Sequence, residues 1–137
     1  MSLRPPRVSR PKAAWRQRKG GQAWREGHGA EWVAALFLML KGYQILAFRL
    51  PGHAGEIDIL ARRGRVLAVV EVKRRATLEA ALAALTPKQH QRLVAAGQAL
   101  KRGRPSLAAL DLRLDMVALA PGRFPRHVRD IGSFLGL

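Results

Sequence analysis

The chain has 137 residues, 48% of them hydrophobic, which suits one ordinary domain with a buried core and excludes wholesale disorder. It contains no cysteine, so disulfides, thiolate zinc sites and a cysteine nucleophile are excluded. Lys and Arg number 25 against 9 Asp and Glu, a net charge of +16 that attracts polyanions, nucleic acid first and an acidic membrane surface second.

Residues 1–25 read as a disordered basic N-terminal arm. They carry Arg4, Arg7, Arg10, Lys12, Arg16, Arg18, Lys19 and Arg25 and no acid, with Pro5, Pro6, Pro11 and Gly20–Gly21 between them. Such an arm is either a solubilising tail or a nucleic-acid-binding one, in which Trp15 and Trp24 can stack on bases. Residues 26–137 read as a single domain. No signal-peptide core is visible in the arm, and the longest apolar run, Trp32 to Leu40, is about half a membrane span. The expectation is a cytoplasmic protein without membrane association.

A helix is predicted from near Gly29 to about Lys41, ended by Gly42 and buried on most sides because its apolar residues run almost unbroken. Tyr43 to Arg49 reads as a short strand and Leu50 to Ala54 as a loop. Glu56–Ala61 and Val66–Lys73 are Val- and Ile-rich runs joined by Arg62-Arg63-Gly64-Arg65, a hairpin pattern. Thr86-Pro-Lys-Gln89 supplies an N-cap, a proline at the first helical position and a capping-box glutamine for a helix to about Lys101. Leu110, Leu112, Leu114 and Met116 alternate as in a half-buried strand, and residues 126–131 suggest a last edge strand. The order of elements predicts an α/β fold, a mixed sheet with helices packed against it.

With so few acids, their placement is informative. If Arg63 and Gly64 centre the hairpin turn, Glu71 opposes Glu56, and Asp58, Glu71 and Lys73 share one face of the sheet. Opposite and diagonal neighbours across a strand pair lie roughly 5–8 Å apart, close enough for Asp58 and Glu71 to share a divalent ion. A carboxylate inside Ala68-Val-Val-Glu-Val-Lys73 is costly unless paired or metal-bound, so a surface pairing of Glu71 with Lys73 or Asp58 is the plainer reading of the spacing. Asp115 reads as a member of a structural ion pair on the polar face of its strand. His28 and His53 show no zinc spacing.

These residues resemble a known pattern. Gly55-Glu-Ile-Asp58 followed by Glu71-Val-Lys73 resembles the D…ExK core of the PD-(D/E)xK nuclease superfamily. More closely, the chain resembles the bacterial YraN family (uncharacterised protein family 0102). The stretches that carry the likeness are Gly27-His-Gly-Ala-Glu31, Gly42-Tyr43, Gly55 to Leu60, Val69 to Arg74, Thr86 to Gln89 and Arg113-Leu-Asp-Met-Val117. It covers residues 26–135 and leaves the basic arm outside. The resemblance implies a restriction-endonuclease-like mixed β-sheet flanked by α-helices, similar to that of archaeal Holliday-junction resolvases.

Carried over by position, the resemblance implies catalytic roles for Glu31, Asp58, Glu71 and Lys73. It implies a Mg²⁺ site, open also to Mn²⁺, made by Asp58, Glu71 and the backbone carbonyl of Val72, while Lys88, Arg74 and Arg75 would contact nucleic acid. Ile57 stands where the superfamily's name has proline. Magnesium favours oxygen donors with water and phosphate completing its shell, which is the chemistry two strand carboxylates offer. Lys73, beside two carboxylates, should stay charged and offset charge developing on phosphate rather than act as a free base. Glu31 also has the plain role of an acid at a helix N-terminus, and Glu56 that of a supporting or solvated carboxylate. The expected function is a Mg²⁺-dependent endonuclease cutting DNA, including branched or structured DNA, with DNA favoured over RNA. Resolvase-like nucleases that cut two strands commonly work as dimers, which brings a homodimer into view. The alternatives are a non-catalytic nucleic-acid-binding module that keeps the nuclease fold, and RNA or ribosome association led by the arm.

Overall fold

A computed structural model describes residues 29–52 and 55–134, so the basic arm, His28 and His53 lie outside the described residues. In chain order the elements are α1 (Gly29–Leu40), β1 (Gln44–Leu50), β2 (Ile57–Arg63), β3 (Val66–Arg74), α2 (Leu78–Leu82), α3 (Pro87–Gly103), α4 (Pro105–Ala108), β4 (Asp111–Leu119), β5 (Arg126–Val128) and α5 (Ile131–Phe134). The strands form one five-stranded sheet in the order β1-β2-β3-β4-β5. Only the β3–β4 pair is parallel, and the crossover between them carries α2, α3 and α4. This is the mixed sheet with flanking helices that the sequence leads one to expect, and it is consistent with a restriction-endonuclease-like arrangement. The short helices α2 and α4 are additional to the predicted order, and β5 is shorter than the predicted 126–131 strand.

The sheet is covered on both faces, which explains why β3 reads as an almost continuous apolar run. One face packs Ala30, Ala34, Ala35 and Leu38 of α1 on Ile59, Ala61, Ala68, Val70 and Val117. The other packs Leu78, Ala81, Leu93, Ala96 and Leu107 of the crossover helices on Leu60, Leu67, Val69, Leu114 and Met116. From Leu114 to Ala120 every residue is buried, so β4 is covered on both sides rather than half-buried as its leucine alternation suggests. α1 departs from its prediction in the opposite direction. Trp32, Val33, Leu36, Met39 and Leu40 are exposed, because one sheet face can cover only one stripe of a 12-residue helix.

Local chemistry sets the two connections that matter for the site. The β2–β3 hairpin turns on Gly64 and Arg65, with Arg63 paired to Val66. Gly64 has φ +60, and a left-handed first turn position with an ordinary second one is the pattern of a II′ hairpin. The turn centre is therefore one residue later than expected, and the register moves with it. Continuing the ladder one step past Ile59↔Val70 places Asp58, not Glu56, across from Glu71. α3 begins with the expected capping box: Thr86 Oγ1 accepts from the Gln89 N–H, and the Gln89 side chain accepts from the Thr86 N–H.

Candidate active site and a buried polar network

Leu67 and Val69 of β3 and Leu60 of β2 face the crossover helices, so the two-residue period carries Glu71, Lys73 and Asp58 onto that same face. The slip in turn centre leaves this conclusion intact, since the register sum shifts by two and side-chain parity is kept. Asp58 Oδ2 accepts the backbone N–H of Val72 at 2.8 Å. That bond locks the aspartate to the β3 backbone just beyond the Ile59↔Val70 end of the β2–β3 ladder. Lys73 Nζ lies 3.0 Å from Glu71 Oε2, and both side chains are largely buried, at 13% and 15% exposure.

Two carboxylates facing each other away from water disfavour double ionisation. Burial first, then the Glu71 charge, push the Asp58 carboxyl up to about 7, with Glu56 adding to the effect; the Val72 N–H and Lys73 act against them. The donor set fits a hard divalent cation: carboxylate oxygens from adjacent strands, crowded enough that added positive charge stabilises them. Asp58 and Glu71 would hold such an ion.

Glu31 takes the helix-start position that the sequence reading gives it. It is buried in the first turn of α1, and its Oε2 takes a hydrogen bond from Arg49 Nη1 at 3.1 Å. Arg49 also reaches Glu56 at 3.6 Å, from a strand-end position with a left-handed φ of 48. An arginine thus stands between Glu31 and Glu56, the first acid of Gly55-Glu-Ile-Asp58. Among the described residues no group of three or more His, Cys, Asp or Glu side chains gathers into a ligand cluster. The structure unites Asp58, Glu71 and Lys73, and pairs Glu31 with Arg49.

The residues expected to contact nucleic acid lie at the surface. Lys88 is exposed in the first turn of α3, and Arg74 and Arg75 are exposed at the end of β3. Arg74 lines a cleft of about 500 Å³ together with Arg123, Gly29, Val33 and Pro121. Sequence reasoning missed Arg92. This α3 residue lies against Gly55, three residues before Asp58 in the chain, where a β-carbon would meet its Nε at 3.4 Å. Its spacing six residues after the Thr86 cap gave no hint of that contact.

The opposite face holds a second polar cluster. Asp115 has no solvent exposure and accepts from Arg113 Nε and Nη2 at 2.8 Å each and from the Asp130 N–H at 3.0 Å. His127 Nε2 lies 2.8 Å from Asp115 Oδ2, and its Nδ1 lies 2.6 Å from Lys41 Nζ. Arg113 Nη2 donates to the Tyr43 hydroxyl. Burial works to raise the Asp115 carboxyl, but the bonds from His127, Arg113 and Asp130 outweigh it and hold the group below its usual value. The expected ion pair is present, with its carboxylate fully buried. His127 and Tyr43 lie far from Asp115 in sequence, which is why spacing could not reveal them.

The model of Uncharacterised protein family UPF0102 matches residues 30–119, a span that holds Glu31, Asp58, Glu71, Lys73 and Asp115. The chain belongs to UPF0102. Its similarity to curated UPF0102 proteins extends over most of both partners. One from Caulobacter vibrioides is 54% identical over 118 residues, covering 86% of this chain and 94% of that protein. One from Paramagnetospirillum magneticum is 52% identical over 112 residues, covering 79% and 87%, and one from Parvibaculum lavamentivorans is 48% identical over 133 residues, covering 93% and 97%. The YraN-like resemblance is thereby established for this UPF0102 chain. Among its described residues no helix is long and apolar enough to cross a membrane.

Proposed function

We propose that this chain is a divalent-metal-dependent endonuclease that hydrolyses phosphodiester bonds in DNA. The observation that carries the proposal is the assembly of Asp58, Glu71 and Lys73 on one sheet face, with Asp58 fixed to the Val72 N–H at 2.8 Å and Lys73 held 3.0 Å from Glu71. Mg²⁺, or Mn²⁺ in its place, would be held by Asp58 and Glu71 and would supply a nucleophile at neutral pH and polarise the phosphoryl oxygen. The Val72 N–H orients one Asp58 oxygen and leaves the other for binding. Lys73, held 3.0 Å from Glu71, is placed to offset negative charge growing on the phosphate. Exposed Lys88, Arg74, Arg75 and Arg92 and the net charge of +16 favour a polyanionic substrate held by its backbone.

The test is a cleavage panel of branched, duplex and single-stranded DNA and RNA with Mg²⁺ or Mn²⁺. Cleavage should fall by at least about 10²-fold in Asp58→Ala and in Lys73→Ala. Undiminished cleavage in either variant overturns the proposal. One observation favours a second reading, a binding module that keeps the nuclease fold without its chemistry: Glu31 is tied to Arg49 rather than joined to Asp58 and Glu71. That reading predicts salt-sensitive DNA binding with no cleavage under any divalent ion.

A further inference from the structure

We infer that Lys41, Arg63 and Arg129 form a second phosphate-contact site for a nucleic-acid backbone, on the α1 face at the hairpin end of the sheet. The inference rests on nucleic acid being the ligand, as proposed above, and does not depend on cleavage. Five residues of β2, roughly 15 Å of strand, separate Asp58 from Arg63, and alternation puts the two side chains on opposite faces.

The cations are gathered by packing. Gly42, with φ +94, turns the chain out of α1, and a β-carbon there would meet Arg63 Nε at 3.4 Å. Arg63 therefore lies across the turn, its guanidinium 5.8 Å from the Tyr43 ring centre. Lys41 lies 5.4 Å from the Phe37 ring centre, with Nζ on His127 Nδ1. Burial first, then the charge of Arg129, with Arg63 and Arg113 adding, disfavour the charged form of Lys41, and the Asp115 charge acts against them.

No carboxylate among the described residues lies within ion-pair distance of Lys41, Arg63 or Arg129. Asp115, the acid whose charge acts on Lys41, already accepts from Arg113, His127 and the Asp130 N–H, and the Asp130 carboxylate next to Arg129 in the chain accepts from the Ser133 hydroxyl. A buried ion pair gives little net stability by itself. What the Asp115–His127 pair achieves, with side chains 0% and 1% exposed, is a fixed acceptor for Lys41. His127 gives its Nε2 hydrogen to Asp115, which leaves Nδ1 to receive the lysine. The outcome is an oriented ammonium beside exposed Arg63 and Arg129, a concentration of like charge that costs the free protein stability and that a phosphate would relieve.

The experiment measures binding of a fluorescent 20-bp duplex in EDTA over a range of NaCl. In Arg63→Gln/Arg129→Gln, whose positions are exposed, the slope of log affinity against log salt should fall by about two, and adding Lys41→Gln should bring the loss to about three. A triple control with the same charge removed at the end of α3, Lys101→Gln/Arg102→Gln/Arg104→Gln, should lose less than one unit. Melting temperatures of the double variant should be equal to or above those of the parent. A slope loss no larger than the control, with parental binding intact, overturns this inference and leaves the proposed function standing. Absence of duplex binding by the parent at any salt overturns both.

Discussion

Asp58 has the most informative environment of any side chain in the molecule. Its carboxyl is pushed up to about 7 by burial and Glu71, so between its unfolded value near 4 and that point the folded state holds a proton that the unfolded state has released. Stability must therefore fall as pH rises across that window in metal-free buffer. Asp58→Asn keeps an acceptor for the Val72 N–H and removes the charge. Urea titrations at pH 4, 6 and 8 should show the parent losing on the order of 2 kcal/mol relative to this variant, with little change between them below pH 4. Asp115 is the opposite case, a charge held low by its donors. Asp115→Ala strands Arg113 and His127 and should cost about 3–5 kcal/mol in the same assay. The first site was legible in the sequence because strand parity is a local property that survives an error in turn position. Glu31 was not, since its Arg49 partner depends on a left-handed strand end that no local pattern announces.

At the level of elements, the hairpin and α3 position the site and the crossover holds them together. The capping box of α3 was readable as four consecutive residues, whereas the contact that seats this helix was not. Gly97 lies so close to the sheet that a β-carbon would stand 2.7 Å from Leu112 Cδ1 and 3.2 Å from Val69 Cγ2. Gly97→Ala should overpack that contact and lower the urea midpoint by the equivalent of about 1–3 kcal/mol despite its better helix propensity. α2 and α4 went unpredicted because five- and four-residue helices carry too little periodicity. The exposed stripe of α1 was misread for the converse reason. A continuous apolar run has no polar face to reveal which side the sheet leaves open.

For the whole molecule, the acidic pair is a local negative site on a chain of +16. Millimolar Mg²⁺ or Mn²⁺ should raise the melting temperature by mass action, about 2.7 kcal/mol at a hundred times the dissociation constant, and Asp58→Asn should abolish the rise. A melting curve unmoved across the Mn²⁺ range would mean that the pair holds no ion. The parallel ladder adds a consequence for how the chain finds its fold. Val70↔Asp115 and Glu71↔Met116 are successive rungs, with the aspartate serving one face and the glutamate the other. Sliding β3 by a single position would turn Glu71 toward the aliphatic side chains beneath α1, and sliding β4 would turn Asp115 away from His127 and the Asp130 N–H. A slip of either strand is thus penalised on the face its own acid serves, and two polar clusters with no shared atom enforce the same alignment.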